Sequence, residues 1–219
     1  MRLRGRKRAL SADQLAVIDQ AASVLLAYPD ETALARVPLV RVALAELPAH
    51  PARDQLLRFL AHLDQPGQAA PLALAAQYVE TFDFRRRCCL YLTYYTHGDT
   101  RRRGAALARL RQRYRQAGLD LTHGELPDFL PVVLEFTAAT RDRALLLEHR
   151  PALELLRLAL AETASPYGLV VEALCATLPG PAPKDREAIL ALAASGPPQE
   201  EVGLEPYPAP GPTPGTVRP

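Results

Sequence analysis

Residues 77–137 read QYVETFDFRRRCCLYLTYYTHGDTRRRGAALARLRQRYRQAGLDLTHGELPDFLPVVLEFT, and this stretch is the most informative part of the chain about its architecture. It combines an apolar segment rich in tyrosine, a break at His97-Gly98-Asp99 and a second break at Glu125-Leu126-Pro127-Asp128. No part of the stretch carries a complete set of catalytic groups. It therefore indicates a binding surface rather than an active site.

Helical spacing continues on both sides of this stretch. Leucine and alanine dominate, and runs of alternating β-branched residues are missing. Ser11 and Gln14 form the S-x-x-Q capping box that starts a helix, while Pro51 and Pro71 suit the first position of two others. Gly118 has the type and position of a helix-terminating glycine. The sequence predicts an all-α fold, a single-domain bundle of roughly eight to ten helices with disordered termini.

Several local predictions concern the two breaks and the helices that follow them. Asp99 or Thr100 is expected to cap the arginine-rich helix after the first break. Thr122 and Glu125 match a second capping box, which predicts a helix start at the second break. Further helices are predicted over residues 88–95, 144–149, 152–163, 167–177 and 185–194.

Both ends of the chain differ in composition from its middle. Arg2, Arg4, Arg6, Lys7 and Arg8 form a basic arm. The residues after Ser195 are dominated by proline and glycine, which cannot form a packed unit. We therefore expect a disordered basic arm over 1–10, an all-helical domain over 11–194 and a disordered tail over 195–219.

The bulk properties exclude several classes of protein. A formal net charge of +2 over 219 residues argues against a dedicated nucleic-acid binder. Charged and polar residues interrupt every apolar run near the N-terminus, so no secretory signal or membrane span is predicted. Three cysteines do not form a disulfide framework in a chain of this size. We expect a cytoplasmic protein with no stable membrane insertion.

The same stretch contains residue types that bind metals or act as nucleophiles. Its metal-ligand types have poor spacing, since adjacent cysteines on a helix point about 100° apart; they are Cys88, Cys89, His97, Asp99 and His123. Arginines before Cys88 would lower its pKa, but no partner histidine is identifiable. The sequence therefore predicts no catalytic residue, no metal and no cofactor.

The aromatic cluster is more informative than these ligand types. It is dense for a chain with 6% aromatic residues, and it consists of Tyr78, Phe82, Phe84, Tyr91, Tyr94 and Tyr95. Tyrosine has an apolar body and a polar tip, which suits a half-exposed groove for an amphipathic helix. Packing in the core explains such residues equally well. Both interpretations stay open at this point.

Three motifs in a fixed order resemble a known family. They are residues 78–83 (YVETFD), residues 96–104 (THGDTRRRG) and residues 118–119 with 125–131 (GL and ELPDFLP). They resemble the nitrate reductase molybdenum cofactor assembly chaperones, the delta-subunit or NarJ-type group of the helical chaperones that mature molybdenum oxidoreductases. The similarity runs from about Asp13 to Leu178, with the tails outside it.

The resemblance implies an all-helical, non-enzymatic chaperone. Such proteins bind the N-terminal segment of the respiratory nitrate reductase alpha subunit and keep it competent for molybdenum cofactor insertion. The partners implied are that subunit, the alpha–beta complex and cofactor-delivery proteins. In the wider class the acidic-proline-aspartate motif borders the peptide groove, and it falls here on Glu125, Pro127 and Asp128. Phe129 stands where that motif usually has histidine.

The resemblance and the aromatic cluster together give two sets of residues. The expected client-binding residues are Tyr78, Phe82, Tyr91, Tyr94, Tyr95, Glu125, Pro127, Asp128 and Phe129. The expected motif or structural residues are Asp83, His97, Gly98, Asp99 and Arg102. Reversing the charge of both Glu125 and Asp128 is expected to weaken client binding without unfolding the domain.

Other functions remain as alternatives. One is a maturation chaperone for a different molybdenum oxidoreductase. Another is a metal-dependent helical enzyme that uses His97 and Asp99, which tight stoichiometric metal in a purified sample would favour. A third is a regulator that binds nucleic acid through the basic arm, and it leaves the three ordered motifs unexplained.

Overall fold

The computed structural model describes residues 9–66, 70–121 and 124–180, together with residues 187, 189–191 and 194. In the described ranges the chain forms ten α-helices and a 3-10 turn at Arg86–Cys88, and no strand. The helices are α1 (Ala12–Leu26), α2 (Glu31–Ala45), α3 (Pro51–Leu63), α4 (Pro71–Phe82), α5 (Leu92–His97), α6 (Arg101–Gln116), α7 (Leu130–Thr140), α8 (Ala144–Glu148), α9 (Arg150–Glu162) and α10 (Gly168–Thr177). The predicted all-α class is confirmed.

Local sequence explains the start of several helices. The capping box of α1 is present in full, because Ser11 Oγ accepts from the Gln14 backbone nitrogen and Gln14 Oε1 accepts from the Ser11 nitrogen. Asp30 caps α2 by accepting from the Ala33 nitrogen at 2.7 Å. Pro51 and Pro71 occupy the first positions of α3 and α4, as predicted. The first amide groups of a helix have no acceptor within the helix, so proline, which lacks an amide hydrogen, sacrifices no hydrogen bond at these positions.

Two central helices organise the packing. Helix α1 packs against α7, α2 and α10, while α10 packs against α3 and α9. Apolar residues from Ile18 to Leu178 form one continuous buried core. Polar groups also cross this core: Ser23 Oγ donates to the Pro131 carbonyl at 2.9 Å, and Arg143 pairs with the fully buried Asp19 at 2.9 Å.

Two local predictions near the breaks are wrong. The predicted helix over 88–95 is replaced by the 3-10 turn, an extended segment and the short helix α5. The predicted capping box at the second break does not form a helix start, since α7 begins at Leu130 with Phe129 as its N-cap residue. The physical reason is the same in both cases: Leu90 and Leu92 form backbone hydrogen bonds with the chain around the start of α7, which keeps both segments extended.

Other predictions fall partly or wholly beyond the described residues. The basic arm up to residue 8 and the tail over 195–219 lie outside them, as does Thr122. Of the predicted helix over 185–194, the described residues are helical. No helix in the described part of the chain is long and apolar enough to cross a membrane.

Candidate functional site

The two breaks of the sequence meet in a short antiparallel backbone pairing. The Leu92 nitrogen donates to the Asp128 carbonyl at 3.0 Å, and the Leu130 nitrogen donates to the Leu90 carbonyl at 2.8 Å. Tyr91 and Phe129 lie opposite each other in this bridge, with ring centroids 5.3 Å apart. The bridge therefore brings the tyrosine-rich segment and the acidic-proline-aspartate motif to one place.

Asp128 holds the start of helix α5. Its side chain is fully buried, and its Oδ2 accepts from the Thr93 backbone nitrogen at 3.2 Å and from Thr93 Oγ1 at 2.5 Å. Thr93 is the second residue of α5, so the carboxylate caps that helix from a distant part of the chain. Oδ1 of Asp128 has no hydrogen-bond partner among the described residues. Asp128 therefore has a structural role in the protein interior.

Arg103 connects both breaks through the same group. Its Nη2 lies 3.5 Å from Asp128 Oδ2, its Nη1 lies 3.5 Å from Asp99 Oδ1, and its Nε donates to Thr93 Oγ1 at 3.3 Å. Its guanidinium carbon lies 5.6 Å from the centroid of the Tyr91 ring, a cation–π distance. Because the Arg103 side chain is only 17% exposed, these contacts fix its position. Sequence spacing did not reveal that a carboxylate, a ring and a helix cap all meet at Arg103.

The His97-Gly98-Asp99 break ends α5 and begins α6. Gly98 has φ of +55° and ψ of −151°, a backbone conformation that favours glycine, and its nitrogen donates to the Tyr94 carbonyl. Thr100 is the N-cap residue of α6, but no side chain caps the helix there, since Thr100 Oγ1 donates to the His97 carbonyl. Asp99 is exposed and pairs with Arg103, so of the two residues predicted as the N-cap of α6, Thr100 occupies that position.

The structure offers little support for metal or thiol chemistry here. Among the described residues no group of three or more histidine, cysteine, aspartate or glutamate side chains is placed to hold a metal; His123 lies outside them. Burial raises the pKa of the Cys88 and Cys89 thiols, the opposite of an activated nucleophile. Burial lowers the pKa of His97, and the guanidinium groups of Arg109 and Arg102 lower it further.

Three of the predicted client-binding aromatic residues lie in the core. Tyr78 donates its hydroxyl to the Leu26 carbonyl at 3.2 Å, and its ring and that of Phe82 pack on Tyr167. The hydroxyl of Tyr95 lies 2.8 Å from the Arg87 carbonyl and 2.9 Å from the Cys89 carbonyl. These side chains are buried, so a client cannot touch them without rearrangement.

Some of the remaining predicted residues are accessible on the surface, and others are buried. Pro127 is buried, and its carbonyl accepts from the Tyr114 hydroxyl at 2.6 Å. Tyr94 is half-buried on α5, and three other accessible residues lie together and are called the motif face: Tyr91 and Phe129 are half-buried, and Glu125 is exposed. Burial raises the pKa of Tyr91, and the negative charge of nearby Glu125 raises it further. The motif face therefore joins apolar rings to one exposed carboxylate. Asp83 and Arg102, predicted as structural, are exposed.

A second accessible apolar feature was missed by the sequence analysis. Helices α1 to α4 and Tyr167, in the turn before α10, line a small open pocket of about 20 Å³; its lining includes Pro29, Leu34, Val37, Leu63 and Leu74. Tyr28 is 49% exposed, and its ring packs edge-on against Tyr78 at 5.4 Å between centroids. In the sequence, the Tyr28-Pro29 pair after α1 was the one feature that pointed to this pocket, and it was interpreted only as a helix end.

The helical bundle shares its fold with a protein connected to redox enzyme maturation. A crystal structure of a proposed redox enzyme maturation protein from Archaeoglobus fulgidus superposes with a TM-score of 0.53 at 22% identity, covering 78% of this chain and 96% of that one. At that identity the match establishes the class of fold. The family itself follows from sequence: the model of the nitrate reductase delta subunit matches residues 46–171, and the chain belongs to that family.

Individual relatives agree with this family. The nitrate reductase-like protein NarX of Mycobacterium tuberculosis H37Rv is 45% identical over 174 residues, which is 76% of this chain and 25% of NarX. The nitrate reductase molybdenum cofactor assembly chaperones NarJ of Bacillus subtilis and Escherichia coli are 40% and 38% identical, covering 57% and 53% of this chain. The chain spans 66% and 49% of those two proteins. They are assembly chaperones by name, which agrees with the expectation that this chain is not an enzyme.

Proposed function

We propose that this protein is an assembly chaperone for nitrate reductase. It binds the catalytic (alpha) subunit before that subunit is complete and keeps it competent for insertion of the molybdenum cofactor. The observation that carries the proposal is the family match over residues 46–171, together with NarJ relatives that are named for this role. A cytoplasmic location belongs to the same proposal.

The client segment is the N-terminal segment of the alpha subunit, bound as an amphipathic helix. Its apolar side lies against the rings of Tyr91 and Phe129 on the motif face, and a basic residue pairs with Glu125. Two features support this arrangement: the rings are accessible and 5.3 Å apart, and no hydrogen bond or ion pair joins the Glu125 carboxylate to another described residue. Apolar anchors with one complementary charge are the usual way a groove selects a helix.

The buried members of the predicted set support this surface rather than touching the client. Asp128 caps α5 by accepting from Thr93, and the Pro127 carbonyl accepts from the Tyr114 hydroxyl. The Tyr95 hydroxyl connects α5 to the preceding 3-10 turn by a hydrogen bond. Preorganisation of this kind reduces the ordering that binding requires. The division predicts that only the accessible residues change affinity when they are altered without loss of folding.

The test is capture of the alpha subunit by the tagged full chain in cells that express a respiratory nitrate reductase operon. Glu125→Lys is the informative variant, and Glu135→Lys is its matched control, since Glu135 is exposed on α7. Capture by the unaltered chain and by Glu135→Lys, with loss in Glu125→Lys, supports the proposal. Capture of a different molybdenum oxidoreductase instead of nitrate reductase would replace the client while keeping the chaperone class.

A further inference from the structure

Helix α2 is apolar on its outer side as well as on its inner side. The inner side contributes Val40 and Leu44 to the core. The outer side carries five exposed apolar residues at helical spacing, which are called the α2 stripe: Ala35, Pro38, Leu39, Val42 and Ala45. Leu39 is 70% exposed and Val42 is 58% exposed. A helix that is apolar on both sides is expected to be covered on both, so the stripe indicates an interaction surface.

Two charged residues border the α2 stripe. Arg36 and Glu46 are both exposed, and no hydrogen bond or ion pair joins either side chain to another described residue. They are ten residues apart, so helical geometry places them on the same side of the stripe and about 15 Å apart along the axis. Arg41, by contrast, pairs with Asp64 at the end of α3, at 2.6 Å. The stripe therefore has a cation toward one end and an anion toward the other, both available to a partner.

This pattern is complementary to itself. When two copies of α2 pack antiparallel about a twofold axis midway between Leu39 and Val42, Leu39 of each copy lies level with Val42 of the other. Arg36 of each copy then lies within one residue of the level of Glu46 of the other, so the pairing forms two contacts of opposite charge. A parallel pairing would bring the two copies of Arg36 together instead. The charges therefore favour the antiparallel arrangement.

We propose that a second copy of this chain covers the α2 stripe, in a twofold-symmetric dimer that packs α2 against α2 in antiparallel orientation. The outer side of α2 is about 22 Å long and about 10 Å wide from helix dimensions. That area is well below the about 800 Å² that a stable interface buries on each partner. The dimer is therefore weak, and it forms and dissociates with protein concentration.

The dimer is independent of client binding. Helix α2 packs against α1 and α3, whereas Tyr91 and Phe129 of the motif face lie in the segments that precede α5 and α7. Covering the α2 stripe therefore does not require a client, and a test of the dimer can fail without bearing on the proposed chaperone function.

Sedimentation equilibrium of the full chain at concentrations from about 5 to about 300 µM tests the dimer. We expect the weight-average mass to rise from 23.9 kDa toward twice that value. Val42→Asp places a charge in the stripe and is expected to weaken the dimer at least about tenfold. Leu147→Asp is the matched control, because Leu147 is 46% exposed on α8, which packs against α7 and α9. Circular dichroism checks that both variants are folded.

A charge exchange tests the antiparallel pairing without altering the apolar residues. Arg36→Glu alone, or Glu46→Arg alone, brings like charges together at both ends of the dimer, and each is expected to weaken it at least about threefold. The double variant restores two contacts of opposite charge, so its dissociation constant should return to within about twofold of that of the unaltered chain.

Three results would overturn the proposal. One is a mass that stays at 23.9 kDa over the whole concentration range. Another is equal weakening of the dimer by Val42→Asp and by the control Leu147→Asp, which would place the interface elsewhere. The third is a double charge variant that associates no better than the single variants.

Discussion

Asp128 and Thr93 are joined by two hydrogen bonds across 35 residues of sequence, one to the Thr93 backbone nitrogen and one to its hydroxyl. The pair caps a helix of six residues that could not hold its own first turn. The same segment of chain places the Tyr91 ring against Phe129. In the acidic-proline-aspartate motif, the buried aspartate therefore supports the candidate site, whereas the glutamate is exposed to solvent.

Asp128→Ala is expected to destabilise the fold by about 3 kcal/mol, because it removes a helix cap and hydrogen bonds to a buried charged group. It also leaves Arg103, 17% exposed, without its buried partner. Urea denaturation followed by circular dichroism measures this loss. Asp99→Asn is the control, since the Asp99 side chain is 76% exposed and its loss should change stability by less than about 0.5 kcal/mol.

The same burial corrects an expectation drawn from sequence. Reversing the charge of both Glu125 and Asp128 was expected to leave the domain folded, but a lysine at the fully buried Asp128 site would lie beside Arg103. An unpaired buried charge of this kind destabilises strongly. The single reversal Glu125→Lys is the variant that tests the surface, because Glu125 is exposed.

Gly98→Ala and Gly104→Ala are predicted to have opposite effects. Gly98 has a positive φ of 55° at the end of α5, so alanine there should destabilise by about 1–3 kcal/mol. Gly104 lies inside α6 with nothing within 4 Å of an added Cβ, so alanine there should stabilise by about 0.5–1 kcal/mol. Thermal denaturation of both variants measures the difference. Equal shifts in the same direction would show that the break does not need glycine.

Two ion pairs between α1 and the loop before α8 should differ sharply in strength. Arg143 pairs with Asp19 in the core, where Asp19 also accepts from Thr137, whereas Arg141 pairs with Asp13 at the surface. Asp19→Ala is expected to cost about 3–5 kcal/mol, since it removes the fully buried carboxylate that pairs with the Arg143 guanidinium, whose side chain is 11% exposed. Asp13→Ala should cost less than about 1 kcal/mol. Equilibrium unfolding in urea compares them, and similar losses would contradict the buried role of Asp19.

Stability should fall as the solution becomes mildly acidic. Burial lowers the pKa of His149. Nearby Glu148 and Asp128 raise this pKa, and His97 and Arg113 lower it, so burial decides the direction. The unfolded chain then binds a proton more readily than the folded one, so the free energy of unfolding decreases as pH falls below about 6.5, the ordinary imidazole pKa. We expect His149→Gln to reduce the difference in unfolding free energy between about pH 7.5 and about pH 5.5. An unchanged difference would show that His149 is not the group responsible.

Sequence predicted the helical class and the key local features where one residue type has one strong physical preference. The capping box at Ser11 and the prolines that open α3 and α4 are examples. It failed where long-range pairing overrode local preference, as for residues 88–95 and for Glu125, which lies in a loop instead of a capping box. Tyrosine burial was not predictable for a similar reason, since Tyr78 and Tyr91 have the same chemistry and differ only in which helices cover them.

Binding of the alpha subunit's N-terminal segment to the motif face is the main proposal made for this protein. Calorimetric titration of the full chain with a peptide of that segment measures this binding, using Glu125→Lys and its control Glu135→Lys. We expect saturable binding by the unaltered chain and by the control, and an affinity at least about tenfold lower in Glu125→Lys, equivalent to about 1.4 kcal/mol. Absence of binding by the folded chain, or equal affinity in both variants, would contradict the proposal.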